Sequence, residues 1–210
     1  MAMRSADIRA LMPLTALLLA ASAGAQTASP TAERPPLRPG DEWHFVVYHG
    51  TRSTVPNRIW RVHAVSAQAV EATENGEPLI LTPELNVRES PQRQDSDTRQ
   101  LQFPLAVGKR WRYVTDMRFK DNGTTATTTA DVQVQAYEKV RVAAGEFDAF
   151  RIAASGRFDG RSRGGPGVLA GEFTSTYWYA PSMRAIVKST TTSTYRGTAH
   201  VELVEARLQP

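Results

Sequence analysis

An all-β domain with little helix is what this sequence predicts: a single antiparallel sheet, curled into a half-barrel or packed as a sandwich. Three observations carry the prediction. Apolar and polar residues alternate with a period of two in segment after segment, as in WHFVVY at 43–48 and RVHAV at 61–65. Hairpin signals separate them, since Asn75-Gly76 and Asn122-Gly123 suit two-residue turns that need positive φ at both positions. No segment keeps a helical period bounded by caps.

The spine of the sheet is the stretch 138–189. Val140 and Val142 alternate with Lys139 and Arg141, a turn is placed at Ala144 and Gly145, and Phe150, Ile152 and Ala154 then face one way. A third strand carrying Tyr177, Trp178 and Tyr179 returns onto these two, turns at Pro181 and Ser182, and is followed by strands over 183–195 and 198–208.

Ahead of the domain, Arg4 and Arg9 precede an apolar run that ends in Ala23-Gly24-Ala25, the pattern of a secretory signal over 1–25 with cleavage before Gln26. The run is too short, and too interrupted by Pro13, for a membrane span. Residues 26–36 belong to a proline-rich stretch without large apolar side chains and read as an extended linker. The domain is expected over 37–210.

Composition narrows the function. With 41% hydrophobic and 22% charged residues the chain can bury a core without help, and the absence of cysteine excludes disulfides, thiol catalysis and cysteine-held metals. The formal charge of +4 falls to +3 once Arg4, Arg9 and Asp7 leave with the leader. That mild excess favours anionic neighbours such as lipid headgroups. Export disfavours nucleic acid as a partner and places the product in the periplasm or outside the cell.

Two stretches interrupt the strands. Residues 89–100 are polar and aperiodic and are expected as a surface loop. Residues 156–167, GRFDGRSRGGPG, hold five glycines and three arginines and are expected as a mobile loop. Its Arg157, Arg161 and Arg163 are candidates for gripping an anionic headgroup, because guanidinium forks suit oxyanions. A solvated loop tip is the plainer reading. An internal echo also stands out: Leu37, Gly40, Trp43, Phe45 and Val46 match Leu105, Gly108, Trp111, Tyr113 and Val114 at a constant offset. Two related β units over 37–81 and 105–150 would explain it, and so would any glycine turn feeding a half-buried strand.

The combination of FPLAVGKRWRYV, KVRVAAGEFDAFRI and STYWYAPSMRAIVKS resembles a group of exported bacterial proteins of unassigned function. Their pattern is a strand opened by VGxxW, a valine-rich strand ending in AGxF, and a YWYAP turn. The resemblance covers the last half of the chain and implies a half-barrel similar in outline to periplasmic lipoprotein carriers, with no characterised reaction. Met183 and Arg184 depart from it, standing where small or glycine residues are usual, and the insertion at 156–167 is longer than usual.

Reactive groups are sparse. His44, His49, His63 and His200 lie on separate strands without a pair at metal spacing, and no GxSxG, HExxH, Walker or GxGxxG pattern occurs. No catalytic residue, metal or cofactor is therefore assigned. Glu146 and Asp148 flank a turn and read as turn carboxylates. The distinctive chemistry is aromatic: Trp43, Trp60, Trp111, Tyr113 and Trp178 come from distant strands, and on a concave face they would line a groove for an apolar or lipid-like ligand. The same rings would equally serve as core. Two functions follow: a non-catalytic envelope binding or carrier module, or a structural domain with a filled core whose edge strand pairs with another envelope protein.

Overall fold

Period-two patterning places one side of each segment in water and the other in a core, and the molecule satisfies it with strands throughout. The structure, a computed structural model, describes residues 30–50, 57–161 and 168–210. The signal-like leader over 1–25 and Arg163 lie outside the described residues. The strands are β1 (Thr31–Ala32), β2 (Glu42–Tyr48), β3 (Arg58–Val65), β4 (Val70–Glu74), β5 (Glu77–Leu81), β6 (Val87–Glu89), β7 (Arg93–Asp95), β8 (Leu105–Ala106), β9 (Arg110–Phe119), β10 (Thr125–Val142), β11 (Gly145–Arg161), β12 (Val168–Ala180), β13 (Ala185–Ser193) and β14 (Gly197–Arg207). A 3-10 turn at Pro181–Met183 is the helical content among the described residues, none of whose helices is long and apolar enough to cross a membrane.

The all-β expectation holds, but the open curled sheet, half-barrel or sandwich does not. Twelve strands, β2 to β7 and β9 to β14, form a closed antiparallel barrel in which β14 pairs with β2, from His200 opposite Tyr48 to Arg207 opposite Glu42. Alternation in sequence says which face of a strand is buried and says nothing about how far the sheet bends. The bend comes from register shifts between Val62 and Ala64, Val134 and Ala136, Trp178 and Tyr179, and Leu203 and Glu205, each of which adds local twist. Closure leaves the twelve-stranded sheet without a terminal strand, but Ala136–Val142 of β10 pairs with β11 alone, so a stretch of open edge remains for the pairing that the second functional reading needs. The small β1–β8 ribbon stands apart from it and places Thr31 and Ala32, within the expected linker, opposite Ala106 and Leu105.

The glycine-arginine stretch was expected to be a loop, yet its first half is strand. Gly156 to Arg161 continue β11 between Thr125–Ala130 of β10 and the first residues of β12. Two long neighbours hold this segment, and its glycines fall at inward positions where the adjoining strand leaves no room for a side chain. Residues 89–100 differ from expectation in the same way. They contain the β6–β7 turn and β7, and beyond β7 Ser96, Asp97 and Arg99 stay exposed, as expected, before the chain turns in at Leu101. Leu101 is 2% exposed, Asn86 exchanges two hydrogen bonds with its backbone, Tyr177 donates to the carbonyl of Gln100, and Trp111 donates to that of Arg99. The end of a polar run is thus pinned by one buried leucine and by side chains that satisfy its backbone.

The echoed segments share a local geometry. Gly40 and Gly108 have φ of +92° and +90°, and each donates its N–H to a valine carbonyl, Val62 and Val134 respectively. Beyond the turn the two copies part, since Val46 is fully buried and Val114 is 53% exposed.

At the seam, Glu42 is buried and lies between Arg61 on β3 and Arg207 on β14. Its carboxyl is held below the usual carboxylate range, first by a hydrogen bond with His44 and then by the Arg61 guanidinium, with burial opposing both. A lowered folded-state pKa adds stability that is complete above the unfolded value near 4.5 and fades as pH falls through the folded value. Urea midpoints of the parent chain and of Glu42→Gln, measured between pH 7 and pH 3, are expected to converge on acidification. Parallel pH profiles would show that the seam carboxylate contributes nothing of this kind.

Candidate functional site

Large side chains fill most of the barrel interior. Trp43, Tyr177 and Tyr179 are each 1% exposed and Phe150 is fully buried. Phe103, from the inward segment after β7, packs edge-on against Tyr179 at 5.2 Å between ring centroids. The burial of Tyr177 and Tyr179 pushes both phenols far up, so these rings act as neutral packing groups.

One part of the interior stays open, a cavity of about 230 Å³ bounded by β2, β3, β4, β6, β7, β13 and β14. Its floor is Trp43 and Ala185, both buried, and its apolar wall includes Phe45, Trp60, Val87 and Val201. Phe45 and Trp60 meet edge to face at 5.7 Å, and the indole N–H of Trp43 is fixed on the carbonyl of Met183 at 2.8 Å. The polar lining is Arg58, Glu74, Ser90, Gln92, Arg93 and Gln100. Gln92 is exposed and the side chains of Arg58 and Arg93 are 32% and 38% exposed, so the mouth lies on their side.

Glu74 is the unusual member. It is 8% exposed, and its Oε2 accepts the indole N–H of Trp60 at 2.9 Å, while the Nε of Arg58 stands 3.7 Å from Oε1. Arg93 is oriented from behind by Asp95, whose Oδ2 accepts its Nε–H at 3.0 Å. Burial pushes the Asp95 carboxyl up, with Arg93 opposing. The outer cluster of Glu42, His44 and Glu205 has the residue types of an acid-base relay, but none of its members lines the cavity. Among the described residues no group of three or more His, Cys, Asp or Glu could hold a metal ion.

The sequence-derived candidates are not brought to one place. Trp43 and Trp60 line the cavity. Trp111 and Tyr113 face inward from β9, in phase with the buried Thr115, and do not line it; Trp111 lies under Lys109, and burial raises the Tyr113 phenol. Trp178 stands on the opposite face of β12 from Tyr177, where its N–H meets Glu138 at 2.9 Å and Lys188 sits 5.7 Å from its ring. Arg157 and Arg161 are exposed on β11, on the face opposite Gly156, away from the cavity. Sequence reasoning missed Glu74, Arg58 and Arg93. A signal for the first two existed: Glu74 is in phase with Val70 and Ala72, and Arg58 with Trp60 and Val62, so each polar residue continues an apolar face.

No family model and no curated protein matches the sequence. Solved structures do resemble it in shape. A chain from Parabacteroides distasonis, provisionally named a lipoprotein, aligns with a TM-score of 0.52 at 12% identity over 84% of this chain and 99% of its own. One from Bacteroides fragilis, provisionally described as an exported protein with a YmcC-like fold, aligns with a TM-score of 0.52 at 13% identity over the same shares. At such identities the likeness reaches the backbone only, and this chain shares the fold of those two proteins.

Proposed function

We propose that the chain is a non-catalytic binding module of the cell envelope that accepts a small apolar or lipid-like group in the interior cavity. The observation that carries this reading is the cavity itself. About 230 Å³ stays open beside Trp43, Phe45 and Trp60. A dry cavity of ~150 Å³ suffices to bind benzene. The volume suits a short chain or a ring, or one end of a longer lipid, and falls below the ~300 Å³ at which sites for drug-sized ligands begin. Export to the envelope, periplasmic or beyond, is supported by the basic-apolar leader and by the descriptions of the proteins that share the fold.

Octan-1-ol is an uncharged probe of suitable size. It is expected to give a saturable change in tryptophan fluorescence, with a Kd in the range of roughly 0.1–1 mM from about 0.5 kcal/mol per non-hydrogen atom. Val201→Phe, which fills the cavity, should abolish the change while the fold persists. A linear response in the parent chain would favour the second reading, a structural domain with a filled core, which draws on the near-complete burial of Trp43, Tyr177 and Tyr179.

A further inference from the structure

The open part of the barrel holds two guanidinium groups, and the carboxylates beside them do not use all of their donors. Arg58 approaches Oε1 of Glu74 only to 3.7 Å, outside hydrogen-bond reach, while Oε2 accepts the Trp60 indole. Arg93 spends its Nε–H on Asp95, and its two terminal amino groups make no hydrogen bond among the described residues. The same is true of every donor of Arg58.

These two cations come from strands far apart in the sheet. Three strands, β4, β5 and β6, lie between β3 and β7, roughly 19 Å along the sheet at ~4.8 Å per strand. Both nevertheless line a single cavity, so the curl of the sheet turns them toward one space. Beside Arg58 the space is walled by Phe45, its partner across the ladder, and by Trp60, with the buried Trp43 one step deeper opposite Trp60. A half-exposed guanidinium pair over an apolar floor is the chemistry of an amphipathic oxyanion, because a carboxylate or phosphate can accept two parallel N–H donors from one fork while its chain leaves water.

We infer that the ligand is an amphipathic oxyanion, its carboxylate or phosphate head held by Arg58 and Arg93 at the mouth and its apolar part inserted toward Trp43. This rests on the binding reading above and narrows it. It also moves the anion-recognising role from the glycine-arginine stretch to two arginines that no motif marks.

Four probes with one chain length separate the possibilities in the parent protein: octan-1-ol, octylamine, octanoate and octyl phosphate, followed by tryptophan fluorescence at pH 7.5. The inference expects one or both anions to bind at least ten-fold more tightly than the alcohol, with that advantage shrinking as salt rises. Whichever anion binds more tightly identifies the head. Arg58→Gln and Arg93→Gln should each lower anion affinity about five- to ten-fold and shrink the anions' advantage over the alcohol. Arg58→Lys, which keeps the charge but not the fork, should give an intermediate loss. Equal binding of alcohol and anions, or preference for octylamine through Glu74, overturns the oxyanion while leaving the binding module intact. No saturable response from any probe removes both. The ligand series needs no variant, so it decides the matter even if Arg93→Gln, by leaving Asp95 buried and unpaired, fails to fold.

Discussion

Replacing Asp41 by alanine is expected to cost about 3–5 kcal/mol, the usual penalty for breaking a buried ion pair from one side. Its side chain has no solvent exposure and gathers three separate parts of the chain. Asp41 accepts the backbone N–H of Arg38 at 2.9 Å, that of Gln209 at 2.8 Å, and Nη1 of Arg184 at 3.1 Å. Loss of the carboxylate strands the Arg184 guanidinium, whose side chain is 16% exposed, and leaves two amides without their acceptor. At about 2–4 °C per kcal/mol for a chain of this size, the midpoint of thermal unfolding should fall by roughly 10 °C. Arg184 has a φ of +52°, a conformation that favours glycine, so the ion pair offsets backbone strain at the very position where the resemblance leads one to expect a small residue. In the Asp41→Ala background, Arg184→Gly should therefore be neutral or stabilising. A midpoint for Asp41→Ala within 1–2 °C of the parent would show that the three segments hold together without this carboxylate.

The second large effect is expected at Gly156. A Cβ built there would lie 2.2 Å from the carbonyl oxygen of Thr129 and 2.9 Å from Cε1 of Phe173. The ring can turn aside, but the carbonyl belongs to the backbone of β10, so even alanine must force β10 and β11 apart. Gly156→Ala is expected to destabilise by about 3 kcal/mol, and Gly156→Val by more, with aggregation as an alternative readout. Ser155→Ala, one residue away on the exposed outer face, should change stability by less than ~0.5 kcal/mol. Urea denaturation of the three variants checks this, and equal midpoints for Gly156→Ala and Ser155→Ala would show that the close approach does not constrain the strands.

These two positions also show where sequence reading runs out. Strand identity was legible because it is local: the pattern around Val140, Phe150 and Tyr177 specifies a face, and the structure buries that face. The Asn75-Gly76 turn was legible for the same reason, with φ values of +53° and +88°. Closure was not, because the register shifts that twist the strands leave no mark in the alternation, and Gly156 likewise reads as a loop residue until its neighbour across the ladder is known. The cavity was half legible. Aromatic content identified Trp43 and Trp60, but the same criterion chose Trp178, which the period of two places outside. Charged residues were discounted as solvent-facing, and that habit hid Glu74 and Arg58, whose phase with Val70 and Trp60 was visible. Arg93 and Gln100 could not have been found this way, since their place depends on an inward path that is set by Asn86 and Tyr177 from far along the chain.

The pairing of β14 with β2 has a consequence for how the molecule is made. Glu42–Tyr48 leaves the ribosome well before one of its two neighbours, Gly197–Arg207. Until those residues emerge, a row of amide and carbonyl groups along β2 has nothing to bond, and closing so long a loop makes the final step slow. The barrel cannot be completed before Gly197–Arg207 has emerged, which keeps the preceding segments threadable until then and leaves β2 dependent on β14.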